Sequence, residues 1–576
     1  MTIRKGADGY HHPADEAELI ALIQAARAEG AKLRVTGAAH SVSWAIYAER
    51  TKRNVVDHFR PPPRASYAVR LDRMRSWTVV DRRRRIIEAD AGLHLGAAPC
   101  DPDLEARDGR NGLLQQLWDQ LGWTLPDLGG VTFQTVGGFF ATGSSGGSLT
   151  YDVGSAVVGL RLVDGTGTVH DLDRTADPDA FDAALVSMGL LGVITRIRLK
   201  CVPAFDITGQ EAISTVDDAK VDLFGEGEPG QPPLERFLKD VPYTRLEWWP
   251  QRGAERLVVW QAQRVPCVPG FRRVPYLEFT SHPALAELAI DLFYTLIGNL
   301  DDMKQARGKL ARDYRHLPEL IAYFQGLPEL TTVSRVLARA AGAVLALGGE
   351  ALLTVLTPFA PLLKRKLPDM FKPILDVFVP LDSAKKGEAK GQPQVFQDHA
   401  YLGLPMDNGA SDILLTTAFT EVWLPLGRAR DAMNVLRRWF EAAPTSAEAL
   451  TRTGTFSWEL YATRPSTGWM SPSYSDGDDV WKDGVFRIDP YWFQHDEADP
   501  THGFYEGLWR QLREAGIPFR LHWGKYHPDL SHGDPEGWVD FFKGQYPRWD
   551  DFLARRAALD PDGVFLTAYW KDHLGL

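Results

Sequence analysis

The chain is poor in cysteine: it has three, Cys100, Cys201 and Cys267, and no C-x-x-C pair. That excludes a disulfide scaffold and a cysteine-rich zinc module, and it fits a reducing cytoplasm. Positive charge is not in excess. Lysine and arginine number 64 against 75 acidic residues, a net charge of −11, which excludes a general nucleic-acid binder because phosphate contacts need a basic face. The short basic run Arg82 to Arg85 reads as a solvated strand end or turn. Repeats and long low-complexity tracts are missing. So is an unbroken apolar run of the ~20 residues a membrane span needs. The nearest approach, 340–363, is interrupted by Gly348, Gly349, Glu350, Pro358 and Pro361. The first twenty residues hold no apolar core of secretory type, so a cytoplasmic location is expected. What remains is ordinary globular composition, 44% hydrophobic and 24% charged, enough for two to four packed domains.

Periodicity places helices at 13–30, 111–122 and 178–188. In the first, Asp15 caps, Leu19, Ile20, Leu22 and Ile23 form the apolar stripe, and Gly30 stops it. Short strands are predicted at 33–35, 86–91, 157–163 and 194–199. Residues 129–147 read as a Gly-, Ser- and Thr-rich loop. From 283 to 378 the pattern turns mostly helical, and 383–392 reads as a polar linker. Alternation returns after 400 in ILLTTAFTEVWLPL, FSWELYATRP and FRIDPYWFQ, which predicts antiparallel strands. A helix is expected at 503–515.

Two loops carry chemistry. The first, R-x-x-G-A-A-H-S, comprises Arg34, Gly37, Ala38, Ala39, His40 and Ser41. Its small residues let backbone N–H groups approach an anion, with His40 facing whatever is cradled; taken alone it is also an ordinary turn with a surface histidine. The second runs from Leu121 to Gly147, with no charge after Asp127. Such a loop can wrap a pyrophosphate through backbone and hydroxyl donors. It lacks the lysine of a P-loop and is not a G-x-G-x-x-G opening a helix. His522, His527, Asp529 and His532 crowd together without H-E-x-x-H spacing, so no metal site is expected.

Together these loops resemble the vanillyl-alcohol-oxidase-type FAD oxidoreductases, with their PCMH-type FAD-binding domain, and within them the sugar-1,4-lactone and alditol oxidases. The first loop is similar to the family's R-x-x-G-x-G-H-S, whose histidine carries flavin covalently; the match falls on His40, with Val42 beside the motif and Ala39 standing where the family has glycine. The second loop resembles the family's T-x-G-G-x-x-x-T-G-x-x-G, which maps flavin and pyrophosphate contacts onto Thr135, Gly138, Thr142, Gly143, Ser144 and Ser145. GLLGVITRIRL is similar to a segment whose backbone, at Val193 and Ile194, meets the adenine side. RLEWWP, FTEVWLP and LDPDGVFL resemble substrate-domain and C-terminal segments. HWGK, His522 to Lys525, is close to a signature of the aldonolactone and alditol oxidases. The resemblance covers 10–260 and 400–576, but not about 265–398.

The resemblance implies hydride transfer from a C–OH group to flavin, with charge developing on the substrate oxygen. Lys525 is the candidate to stabilise it. Glu459 matches the family's E-x-R pair, but Tyr461 stands where arginine is expected; alternation puts both on one face, and Arg464 and Arg487 are the candidates to replace the lost guanidinium. Glu421 and His522 complete the candidate catalytic set, Glu421 being equally readable as a packed strand residue. The expected fold class is α+β: an FAD-binding domain at 1–200, a substrate domain with an antiparallel sheet at 201–264 and 399–520, a helical insertion at 265–398, and a C-terminal segment, 521–576, returning to the flavin. The expected partners are a small alcohol or lactone and O2. Two rivals stand: the same chemistry on a bulky apolar alcohol, and a non-catalytic flavin binder. The insertion is expected to pack on the substrate domain and give the pocket mouth apolar walls, and the stretch 340–366 leaves peripheral membrane contact open.

Overall fold

The computed structural model describes residues 5–48, 66–97, 112–251, 253–278, 371–385, 391–409, 417–445, 457–493, 500–531 and 534–576, with single positions between them. The architecture is the expected α+β arrangement. A five-stranded antiparallel sheet is built, in spatial order, from Trp77–Asp81, Ile86–Asp90, Val193–Lys200, Val157–Val163 and Val169–Asp173. The helix Glu16–Ala28 buries Leu19, Leu22, Ile23 and Ala26, a spacing of three and four that makes one face. Asp15 caps it by accepting the Glu18 N–H.

The second sheet has nine strands. Its main path runs Gln394–His399, Phe205–Thr215, Arg256–Pro266, Tyr243–Trp249, Trp458–Thr463, Val485–Phe493, Val422–Pro425 and Arg520–Leu521; Thr417–Phe419 joins on Val485–Phe493. Side chains alternate across it. On one face Leu246, Leu460 and Ile488 are paired in register and fully buried. Trp248 and Trp458 continue that face, with Phe440 of the helix Ala429–Glu441 packed edge-on against Trp458. The polar residues 245, 247, 459, 461, 487 and 489 therefore lie on the opposite face, and that face meets the first lobe.

The C-terminal residues do return to the first lobe. Leu33 N–H donates to Val564 O at 2.9 Å, and Trp570 Nε1 donates to Ala45 O at 3.1 Å. Among the described residues no helix is long and apolar enough to cross a membrane.

Several sequence expectations shift. Residues 129–147 are not all loop: Val136–Ala141 is helical, because Thr135 caps it and Phe139 and Phe140 bury into the core. The first long strand of the large sheet is Phe205–Thr215, whose alternation a central glycine obscures and which was not among the expected strands. Residues 394–398, read as part of the insertion, form an edge strand. Within that insertion Phe371–Phe378 is helical. Most of 279–370 lies outside the described residues.

Candidate active site

One cavity of about 310 Å³ runs from the two small-residue loops to the polar face of the large sheet. At its first end the strand Leu33–Val35 delivers the chain into the turn that holds His40. Arg34 lines the cavity but spends its terminal nitrogens on backbone. Its Nη2 donates to Ala45 O and Met188 O at 2.8 Å each, and its Nη1 reaches Gly189 O and Phe565 O. It is a clip that binds four carbonyls from three backbone segments, and burial lowers its pKa to about 10. Ala39 has φ +50°, a left-handed conformation that an L side chain adopts at a cost of roughly 1–2 kcal/mol. Gly37 admits no side chain: a Cβ there would lie 2.5 Å from Thr135 Oγ1, so the two loops touch. His40 lines the cavity with its ring edge-on to Phe133, centroids 5.0 Å apart.

The second loop forms the opposite wall. Thr135 Oγ1 accepts the Gly138 N–H at 3.2 Å, and Ser144 Oγ lies 3.4 Å from His522 Nε2. At Gly147 a Cβ would come within 2.9 Å of Tyr461 Cδ1 and closer still to Thr244 O. This glycine is where the cofactor loop meets the sheet. Thirteen of the fifteen residues expected to hold the cofactor line the cavity: Arg34, Gly37, Ala38, Ala39, His40, Ser41, Thr135, Gly138, Thr142, Ser144, Ser145, Val193 and Ile194. Val42 and Gly143 do not. Val42 instead donates its N–H to Gly524 O at 2.8 Å, tying the first loop to the HWGK turn. Gly143, at φ +78°, packs towards Pro472.

At the sheet end all five candidate catalytic residues line the cavity: Glu421, Glu459, Tyr461, His522 and Lys525. Lys525 lies in a turn after Arg520–Leu521, not in a strand, and is held there by its N–H to His522 O at 2.9 Å. Its Nζ sits 3.6 Å from the Phe419 ring centre and 4.0 Å from Glu421 Oε1. Glu421 Oε2 accepts Arg487 Nη2 at 3.2 Å and Trp423 Nε1 at 3.3 Å. Burial pushes the Glu421 carboxyl up, but His522 in its protonated form, the charges of Arg487 and Lys525 and the Trp423 bond outweigh it, and its pKa falls below the ordinary value. His522 is neutral: burial lowers it to about 4, and Gly524 N–H donates to its Nδ1 at 3.1 Å, which leaves the proton on Nε2 towards Ser144.

Glu459 is held differently. Its Oε2 accepts the Tyr461 hydroxyl at 2.5 Å and its Oε1 faces Arg245 Nη1 at 3.3 Å. Arg245 also pairs with Asp407 and accepts company from Tyr276, whose hydroxyl lies 3.1 Å from Nη2. Of the two arginines expected to replace the missing one, Arg487 lines the cavity, stacks on Tyr461 at 4.9 Å and donates to Ser145 O at 3.1 Å. Arg464 is exposed and turned towards Thr150 O.

Sequence reasoning missed Glu247, Glu278, Asp407, Asp489 and Tyr491, all of which line the cavity, and it missed Arg245 behind them. Alternation from Glu459, carried into RLEWWP and FRIDPYWFQ, would have found Arg245, Glu247, Asp489 and Tyr491. Asp407 and Glu278 sit in irregular segments and carried no such signal. Glu278 is the cavity contact contributed by the described part of the insertion. Val355, one of the apolar residues expected to need a dry partner, is exposed; Ala341, Val344, Leu345, Leu352, Leu353 and Leu356 lie outside the described residues. So does His532.

Comparison with known proteins follows this division. The family described as FAD binding domain matches residues 110–173, and the family described as D-arabinono-1,4-lactone oxidase matches residues 400–573. The chain is 30% identical over 207 residues to D-arabinono-1,4-lactone oxidase of Eremothecium gossypii, which covers 36% of this chain and 34% of that protein. It is 24% identical over 256 residues to L-gulonolactone oxidase of Scyliorhinus torazame, covering 44% and 48%. It thus spans about a third to a half of the length of these curated relatives. A solved structure of cholesterol oxidase from B. sterolicum superposes with a TM-score of 0.62 over 98% of this chain and 94% of that one, at 14% identity, which is a likeness of fold.

Proposed function

The chain joins an FAD-binding domain to a D-arabinono-1,4-lactone oxidase segment, and from that premise we propose that it is an FAD-dependent oxidase of a C–OH group in a polar alcohol or sugar lactone, with O2 as the acceptor. One observation carries the reading: a single cavity connects the two small-residue loops to Lys525, Glu421 and Glu459. The residues fit the cofactor. The loops present small side chains, hydroxyls and backbone, and they close on their neighbours so tightly at Gly37 and Gly147 that only glycine fits. His40, Thr135, Gly138, Thr142, Ser144 and Ser145 would hold FAD, and His40 is the residue for covalent attachment. Bound FAD supplies the hydride acceptor.

The rest of the reaction falls to this chain. Glu421 is ionised, and its Oε2 is engaged by Arg487 and Trp423, which leaves Oε1 to accept the hydroxyl proton. Lys525 stabilises the charge developing on the substrate oxygen, all the more because Lys525 is buried. Glu459 has both oxygens committed, so its role is to fix Tyr461 and Arg245. The polar lining of this end does not suit a bulky apolar alcohol.

The test is anaerobic bleaching of the purified holoprotein by polyols, aldonolactones and hydrophobic alcohols. Bleaching by polyols or lactones is the expected result; a flavin that no alcohol reduces would leave only a flavin carrier. Acid precipitation tests the linkage. Wild-type protein should stay yellow, with the flavin mass on a peptide containing His40, and His40→Ala should release FAD to the supernatant.

A further inference from the structure

Arg70 stands at the loop end of the cavity with nothing to hold. It follows the strand Tyr67–Val69, which pairs in parallel with Leu33–Val35 so that Val69 lies against Val35. Thr36 N–H donates to Val69 O at 2.9 Å, and Arg70 N–H donates to His11 O at 3.0 Å. The backbone is thus fixed on both sides, and Arg70 is set beside Thr36, the residue before Gly37; both line the cavity. The Arg70 side chain is 7% exposed and lays its guanidinium over the Tyr10 ring, 4.5 Å from the centre. Its Nε is sealed without a partner. Its two terminal nitrogens have no hydrogen bond or ion pair among the described residues either, yet they are not sealed.

Other buried arginines of this chain behave differently. Arg34, Arg256 and Arg520 are buried alike, and each donates to backbone carbonyls. They are struts. At the sheet end Arg487 is paired with Glu421 and Asp489. The carboxylate that could serve Arg70 is engaged elsewhere: both oxygens of Asp72, two residues on, lie 2.8 Å from His12 Nδ1. The charge balance of the cavity also divides. The first lobe lines it with Arg34, Arg70 and Arg75 against Asp72, whereas at the sheet end carboxyl groups outnumber Arg487 and Lys525. A buried cation without a counter-charge is costly, and stacking on one ring offsets only part of that.

Resting on the reading of this cavity as an FAD site, we propose that Arg70 pairs with the diphosphate of the cofactor and is a binding residue outside both small-residue loops. A guanidinium presents a planar fork that matches phosphate oxygens and stacks on aromatic faces. The loops contribute hydroxyl and backbone donors; Arg70 adds a charge that those lack. The substrate alcohol belongs at Lys525 and Glu421, in the other lobe, so the anion that meets Arg70 is the cofactor's. The stacked, hydrogen-bond-free guanidinium has a second consequence. In the apoprotein it is a burden on stability, and an apolar side chain of similar length relieves it.

The experiment uses the full chain with His40→Ala, so that cofactor exchanges, and compares it with the same chain carrying Arg70→Met. Binding of FAD and of riboflavin, which has the ring system but no diphosphate, is followed by flavin fluorescence, and Tm is read with and without FAD. FAD should bind the Arg70→Met chain at least about tenfold more weakly, the scale of one hydrogen bond to a charged group, with riboflavin binding unchanged. The apoprotein Tm should be equal or higher, and the rise on adding FAD should shrink. Arg70→Lys, which keeps the charge without the fork, should lose less. Undiminished FAD affinity in Arg70→Met would overturn the inference. So would FAD and riboflavin weakened alike, or failure of both variants to fold, because either makes Arg70 one more strut. Bleaching of the wild-type holoprotein by alcohols is scored separately. An Arg70-dependent preference for FAD, with a flavin that no alcohol bleaches, would sink the oxidase reading and leave this one. Bleaching by alcohols with an FAD affinity indifferent to Arg70 would do the reverse.

Discussion

The two ends of the cavity are built on opposite principles. The cofactor end is made of backbone and small residues, packed so closely that Gly37 and Gly147 have no room for a Cβ. Its tolerance is limited by volume. The sheet end is made of charged side chains from seven separate segments, most of them locked to one another by ion pairs and hydrogen bonds. Its tolerance is limited by charge. A change that adds volume at the first end should cost cofactor, and an isosteric change that removes charge at the second should cost rate while the cofactor stays.

The largest effect is expected at Glu421. Glu421→Gln keeps the shape and removes the proton acceptor, so anaerobic flavin reduction should slow by roughly 100- to 10,000-fold with FAD content unchanged. Lys525→Ala should slow the same step by ~100-fold or more; a normal reduction rate would remove Lys525 from the chemistry. Gly147→Val probes the other end. Its side chain would collide with Thr244 and Tyr461, and purified protein should show a reduced ratio of flavin to protein absorbance. If it binds FAD normally and loses only rate, the contrast between the two ends fails.

Glu247 gives a pH test. Its carboxyl is raised from an ordinary 4.5 to about 8, first by burial and then by neighbouring carboxylates, against Arg245. A folded-state pKa above the unfolded one means that the folded protein binds more protons. The stabilisation is therefore complete below about 4.5 and is lost as pH rises through about 8. In calorimetry the Tm of Glu247→Gln should fall less steeply over that window than the wild-type Tm. The smallest effect is at Ala39. Ala39→Gly relieves roughly 1–2 kcal/mol of left-handed strain but returns about 0.4–1 kcal/mol in unfolded-chain entropy. The net gain should lie between about zero and about 1.6 kcal/mol in denaturant unfolding of the apoprotein.

The same contrast explains what could be read without coordinates. A cofactor cradle depends on backbone conformation, and conformation demands particular small residues at fixed spacing, so Gly37 to Ser41 and Thr135 to Ser145 were legible as motifs. The charged sheet end depends on which strands are neighbours. Tyr243–Trp249 and Trp458–Thr463 pair although about 200 residues separate them, and no local pattern announces that. Alternation did place Glu459 and Tyr461 on one face, and Arg487 with Asp489 follow the same rule in their own strand. What alternation cannot supply is the register that lines Glu247, Glu459 and Asp489 up. The helix Val136–Ala141 was hidden for a related reason: a glycine pair inside six residues reads as a turn until a threonine cap and two buried phenylalanines are seen to hold it.

The neck of the segment after residue 266 has a consequence for how this scaffold tolerates change. Val274 and Gln397 exchange backbone hydrogen bonds at 2.8 and 2.9 Å, and the Gln394 side-chain amide bonds both the N–H and the C=O of Leu277 at 2.9 Å. The outgoing and incoming chains are thus fastened to each other where they join the sheet, as at the clasp of a purse. Whatever length of polypeptide lies beyond the clasp, strand pairing inside it need not change. Tyr276 and Glu278 stand at that clasp, one bonded to Arg245 and the other lining the cavity. Exchanging the residues between Glu278 and Phe371 is therefore a route by which this scaffold acquires new sequence while retaining its charged floor.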